Sequence, residues 1–350
     1  MSRLFFKQRL QLYFLLRKGK IAGFTLIELL VAMIVGALIS SALLILVVQL
    51  LETNLREAAR SDTQRDLQGA IDYITRDLRE AVYVYDGNCL NPSSPPANPP
   101  TCPGLSGSLP ANISEDPNVV PVLAFWRVDR IPQGLQTLCK NNADAYSDSK
   151  ATDLPEVIRG IPCLSGRMYT LIVYSLNWKN STTWTGRARI DRYELPQYSD
   201  SASSASAVTT GWADPVGSTT SFMTWPRDKA QFAAGQSGVV SGWQRPSSRD
   251  GTNRTLVDFV DRQGIYNGSA TCPTTDYVLT PQSAASNARG FYVCVRGAAN
   301  GATLNQEVLV RINGDAAGRP GIAPGDTTKP QVPISLETRV LTRGVVNKTQ

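Results

Sequence analysis

Hydrophobic and polar positions divide the chain into three regimes. From Leu29 to Leu51, 23 residues carry no charge. That length matches the roughly 20 apolar residues a helix needs to cross a bilayer. From residue 52 the pattern becomes periodic. Leu67, Ile71, Ile74, Leu78, Ala81 and Val82 recur at three and four, the spacing of one helix face. Arg65, Asp66, Asp72, Arg76, Asp77, Arg79 and Glu80 fill the other positions and are assigned to the solvent side. No proline lies between 24 and 82, so one continuous helix is predicted through both stretches.

Beyond Asp86-Gly87 the pattern changes again. Residues 91–104 are dominated by Pro, Ser and Asn and read as loop. Short runs rich in β-branched and aromatic residues then alternate with turn-forming residues. They predict strands at Val119–Val128, Met168–Trp178, Ala188–Glu194, Leu256–Val260, Phe291–Val295, Val308–Ile312 and Ile334–Val340. Residues 199–221, rich in Ser, Ala, Gly and Thr, predict a flexible surface loop. The expected fold class is α+β: a long N-terminal helix, membrane-spanning and then amphipathic, packed on a β-rich globular domain. The expected segments are 1–23, 24–51 for the spanning half of the helix, 52–86 for its amphipathic half, and 87–350 for the globular domain.

Charge sharpens this division. The net charge of +6 resides in residues 1–23, which hold Arg3, Lys7, Arg9, Arg17, Lys18 and Lys20 and no acid. The remainder has 29 basic and 29 acidic residues. It offers no net electrostatic attraction for phosphate, so nucleic acid is not an expected partner. Basic residues before the apolar span place the N-terminus in the cytoplasm and export the rest.

Composition removes several chemistries. The chain has no histidine, which excludes Ser-His-Asp and Cys-His nucleophile systems and imidazole zinc ligands. Asp144, Asp148 and Asp153 lack the 1-3-5 spacing of an EF-hand loop. No metal, cofactor or catalytic residue is expected, and no enzyme site is visible. All six cysteines, Cys89, Cys102, Cys139, Cys163, Cys272 and Cys294, lie on the exported side. An even number there implies disulfides, with 15 connectivities open; nearest-neighbour pairing gives Cys89–Cys102, Cys139–Cys163 and Cys272–Cys294.

The most specific motif is Gly23-Phe24-Thr25-Leu26-Ile27-Glu28-Leu29-Leu30, directly behind the basic leader. Glu28 is a lone acid at the head of an apolar span, where a carboxylate costs about 2.5–3.5 kcal/mol on insertion scales. Thr25 and Glu28 also have the spacing of a capping box. A chain cut after Gly23 would provide a partner for the acid, the new α-amine of Phe24.

The motif resembles the class III signal sequence of type IV pilins and type II secretion pseudopilins. The resemblance implies cleavage between Gly23 and Phe24 by a prepilin peptidase, N-methylation of Phe24, and docking through Glu28 and Thr25. It further implies other pilins as partners, an inner-membrane assembly platform, and a single-pass protein with its C-terminal domain in the periplasm before it joins a fibre. Residues 72–81 resemble the corresponding helix of minor pilins of the PilW and PulJ/GspJ type. The Pro- and Ser-rich insertions and six cysteines are similar to those of pseudopilins from cyanobacterial polysaccharide-secretion systems. The span lacks the mid-helix proline common in the family, and the globular part is large; both point to a minor subunit. Two other classes stay open: a fibre-tip adhesin or glycan-binding module, and a membrane-anchored exported enzyme.

Overall fold

The structure is a computed structural model that describes residues 23–90, 102–145, 154–262, 270–282, 289–297, 305–323 and 334–343. The chain divides into two compact units, one through Asn54 and one from Leu55 onward. Helix α1, Leu26–Arg79, contributes to both.

In the first unit, residues 26–54 of α1 present large apolar side chains on every side, all exposed. This stretch is long and apolar enough to cross a membrane. Two of its hydroxyls bond back to the helix: Ser41 Oγ donates to the Ala37 carbonyl at 2.7 Å and Thr53 Oγ1 to Gln49 at 2.9 Å. Such pairing is what a segment without access to water requires.

The second unit is β-rich. Strands β1 (Ala81–Tyr85), β2 (Val119–Arg130), β3 (Arg167–Asn177), β4 (Ala188–Pro196) and β5 (Thr252–Val260) form an antiparallel meander. A second group, β6 (Tyr277–Thr280), β7 (Phe291–Arg296), β8 (Glu307–Gly314) and β9 (Ile334–Leu341), is also antiparallel in that order. The two groups meet at a single ladder pair, Val260 with Gly314. At the other end the Gln306 side chain spans the gap to β1. It accepts from the Val84 N–H at 2.8 Å and donates to the Val84 carbonyl at 2.7 Å. The Arg343 N–H also reaches the Ala81 carbonyl. A side-chain amide thus stands in for a neighbouring strand and covers part of an otherwise open edge. The result is a half-barrel.

The principal core lies between the C-terminal part of α1 and this curved sheet. Leu67, Ala70, Ile71, Ile74 and Leu78 pack with Phe125, Ile172, Ile190, Val257, Val293, Val310 and Ile312, among others. Leu67 and Ile74 are completely buried, so truncating either to alanine removes roughly 2–5 kcal/mol. Gly314 permits this approach: a Cβ there would collide with Leu67 Cδ1.

Seven expected strands occur, most extended by one to four residues. Two strands differ from expectation. The helix ends at Arg79, and Ala81 and Val82 belong to β1, so the helix runs neither to 82 nor to 86. The run Ala-Val-Tyr-Val-Tyr is buried at all five positions, and two-sided burial disguises its strand character as continued apolar periodicity. β6 has four residues and escapes notice for its shortness.

Residues 199–221 also depart from expectation, because this segment is pinned to the sheet. Trp212 Nε1 donates to the Tyr169 carbonyl, and Ala202, Thr220 and Ser221 are buried. Just beyond, Phe222 and Trp225 enter a second core on the opposite sheet face with Tyr83, Tyr85, Trp126 and Leu171. Trp126 Nε1 donates to the Tyr85 hydroxyl, which donates to the Phe222 carbonyl at 2.7 Å. Small polar composition concealed these aromatic anchors.

Three disulfides join Cys89 to Cys102, Cys139 to Cys163 and Cys272 to Cys294, and no cysteine is free. They close sequence separations of 13, 24 and 22 residues. Each contributes roughly 3 kcal/mol on the chain-entropy view. Non-reducing peptide mapping of exported protein should return these three pairs, and Cys272→Ala with Cys294→Ala should destabilise by about that amount. Alkylation of all six thiols in folded, exported protein would contradict the pairing.

Candidate functional site: the N-terminal helix and its anchor

The N-terminal site begins with Gly23, Phe24 and Thr25, which are non-helical and exposed. Among the described residues nothing lies within 4 Å of a would-be Cβ at Gly23, so the backbone there is sterically open on that side. Thr25 starts the helix. Its carbonyl accepts from the N–H groups of Glu28 and Leu29, and its Oγ1 accepts from the Glu28 N–H at 3.3 Å. This is the threonine half of a capping box. Glu28 lies in the first turn, where the helix dipole favours a negative charge.

The cap and a docking role are compatible. Capping uses the backbone N–H of Glu28 and leaves its carboxylate uninvolved. Phe24 is 79% exposed, and the apolar residues behind it are all about half exposed or more. The surface is therefore a carboxylate and an aromatic at the head of an unpartnered apolar helix.

The other end of α1 carries a feature that spacing alone did not assign. Asp77 is buried at 4% exposure, not on the solvent face. Arg127 Nη1 donates to it at 2.7 Å, Arg192 Nε at 2.9 Å and the Tyr174 hydroxyl at 2.7 Å. Asp129 and Glu194 complete the cluster, each paired with Arg127, and Glu194 also with Arg192. Burial, and then the Asp77 carboxylate, hold the Tyr174 phenol well above its ordinary range, so it remains a donor. Strand parity explains the convergence. Arg127 follows Leu123 and Phe125 on the helix-facing side of β2, and Arg192 and Glu194 follow Ile190 on β4. Asp77 itself lies three residues after Ile74 and seven after Ala70, within the apolar stripe. That spacing was the available signal.

No group of three or more His, Cys, Asp or Glu side chains could hold a metal ion among the described residues. Of the acidic loop considered for calcium, Asp148 and Asp153 lie outside the described residues, and Asp144 has an interaction partner.

Comparison with known proteins is consistent with the N-terminal geometry. The family described as the prokaryotic N-terminal methylation motif matches residues 18–44. The match spans Gly23, Phe24, Glu28 and the apolar run as far as Leu44. No curated protein and no solved structure matches the chain.

Proposed function

We propose that this chain is a minor pilin or pseudopilin, a non-enzymatic structural subunit of a type IV pilus or type II secretion-like fibre, or of its tip or initiation complex. The starting point is firm at a coarser level: the methylation motif and the long apolar helix support a membrane-anchored, type IV pilin-like protein, processed by a prepilin peptidase and assembled with other pilins. One observation carries the finer reading. Gly23-Phe24 and Glu28 stand, exposed, at the head of a helix whose residues 29–51 carry no charge and whose later turns pack on a β-rich domain.

In this reading the leader stays in the cytoplasm and the peptidase cuts after Gly23. Phe24 becomes the methylated N-terminus. The spanning helix holds the subunit in the inner membrane, with the β domain in the periplasm, until the assembly platform transfers it to the fibre. Glu28 then meets the α-amine of a neighbouring subunit. Low dielectric strengthens that pair, because little water screens it.

Glu28→Ala should yield protein that inserts and is cleaved at Gly23, since removing a charge eases insertion. It should nevertheless fail to co-purify with partner pilins at wild-type yield. Glu28→Asp, which keeps the charge but shortens the reach, should be intermediate. Normal assembly of Glu28→Ala would reduce the residue to a helix-start position and remove the docking role.

A further inference from the structure

The hairpin connection between β3 and β4 is longer than the fold requires. Antiparallel strands are commonly joined by two to five residues, and residues 178–187 separate these two. The connection is held in place along its length. Lys179 N–H donates to Asn177 Oδ1 at 2.8 Å, and the N–H groups of Thr183 and Trp184 both donate to Ser181 Oγ. Gly186 N–H donates to Asp258 Oδ2 at 3.0 Å, and Arg189 Nη1 reaches back to the Lys179 carbonyl.

This braced loop forms one wall of a cavity of about 600 Å³, whose lining includes Trp178, Lys179, Asn180, Trp184, Arg187 and Arg262. That volume falls in the range of about 300–1,000 Å³ typical of small-molecule sites. The two tryptophans differ in role. Trp178 is half-buried and carries the Arg262 guanidinium over its ring at 4.6 Å. Trp184 is 39% exposed, a large apolar ring presented to solvent from a turn that is already fixed. Its exposure is not an accident of a mobile tip.

Charge narrows the ligand class. Lys179 is paired with Asp116 at 3.0 Å and Arg187 with Asp315 at 3.2 Å. Arg262 stacks on the Trp178 ring, and the fully buried Asp261 lines the same cavity. Three basic side chains and three acidic ones, Asp116, Asp315 and Asp261, thus stand at or beside the cavity, and their formal charges cancel, which disfavours a polyanion. An exposed indole face beside an amide, a hydroxyl and paired charges suits a molecule with an apolar face and a polar rim, because a tryptophan serves a ligand that is apolar on one side and wet on the other. A pyranose ring has that character. We propose that this cavity is a saccharide-binding site for neutral oligosaccharides, with Trp184 as the stacking platform and Asn180 as a hydrogen-bonding group.

The site lies wholly within the β-rich unit, and the inference stands independently of fibre assembly. The test uses the full chain in lipid nanodiscs, titrated separately with maltotriose, cellotriose and chitotriose, with saturation-transfer NMR and tryptophan fluorescence as readouts. At least one trisaccharide should bind saturably at millimolar concentration or below. Trp184→Ala should weaken that binding tenfold or more. Trp184→Phe, which keeps a stacking face, should stay within about threefold of wild type. Unchanged thermal unfolding of both variants separates the effect from misfolding. Absence of binding by all three sugars at about 20 mM, roughly twentyfold above a millimolar dissociation constant, would overturn the proposal. So would wild-type binding by Trp184→Ala.

Discussion

Asp77→Ala should destabilise the β-rich domain by about 3 kcal/mol, one of the largest effects of any single polar substitution in the protein. The carboxylate is the shared acceptor for two arginines and a tyrosine. The Arg127 and Arg192 side chains are only 14% and 11% exposed, so water replaces the lost carboxylate poorly. Removing one member of a buried ionic cluster typically costs 3–5 kcal/mol, because the partners keep their desolvation cost without its compensation. Here the lower end applies. Asp129 and Glu194 remain to hold both guanidinium groups. The Tyr174 hydroxyl, in contrast, loses the acceptor that the structure gives it. Asp77→Asn should cost less, since it keeps an acceptor oxygen and the shape. Chemical denaturation of the purified protein measures the difference. A midpoint for Asp77→Ala equal to wild type would mean that the cluster is as well solvated as a surface ion pair.

The cluster also shows what the sequence revealed and what it concealed. The apolar run, the helical stripe through Leu67, Ile71, Ile74 and Leu78, and seven strands were legible, because each follows one periodicity for long enough to stand out. β1 was not, because a strand buried on both faces loses its alternation and merges with the preceding helical pattern. The Asp77 cluster required two periodicities to be read together, the helix stripe and the inward parity of β2 and β4. The 199–221 segment misled in the opposite sense: Ser and Ala dominate its composition, whereas a few aromatic and buried residues fix its position. At the N-terminal site, residue identity carried the signal. Gly23, Phe24 and Glu28 are exposed among the described residues, so the family motif is read from their identity and spacing and needs no fold. The Trp178–Trp184 cavity was invisible in one dimension, because Arg262 and Asp261 come from beyond β5.

Gly23→Val should abolish maturation altogether. The glycine has open space around it among the described residues, so a larger side chain disturbs no packing there. On the proposed reading, any loss therefore reflects recognition of the Gly23–Phe24 junction by the peptidase. The uncleaved chain would keep the six basic residues of the leader and would lack a free amine at Phe24. Without that amine the acid of a neighbouring Glu28 has no partner, so assembly should fail together with processing. Glu28→Ala predicts the reverse separation, normal processing with poor assembly. The two variants together distinguish a maturation defect from a docking defect. Correct cleavage of Gly23→Val would show that the junction is read by something other than its glycine.

The most direct measurement is N-terminal peptide and intact-mass analysis of the wild-type protein isolated from native membranes. The account predicts a chain that has lost residues 1–23, begins at Phe24 and carries one methyl group on that residue. A mature chain that begins beyond residue 45, or one that retains the leader in assembled material, would contradict it.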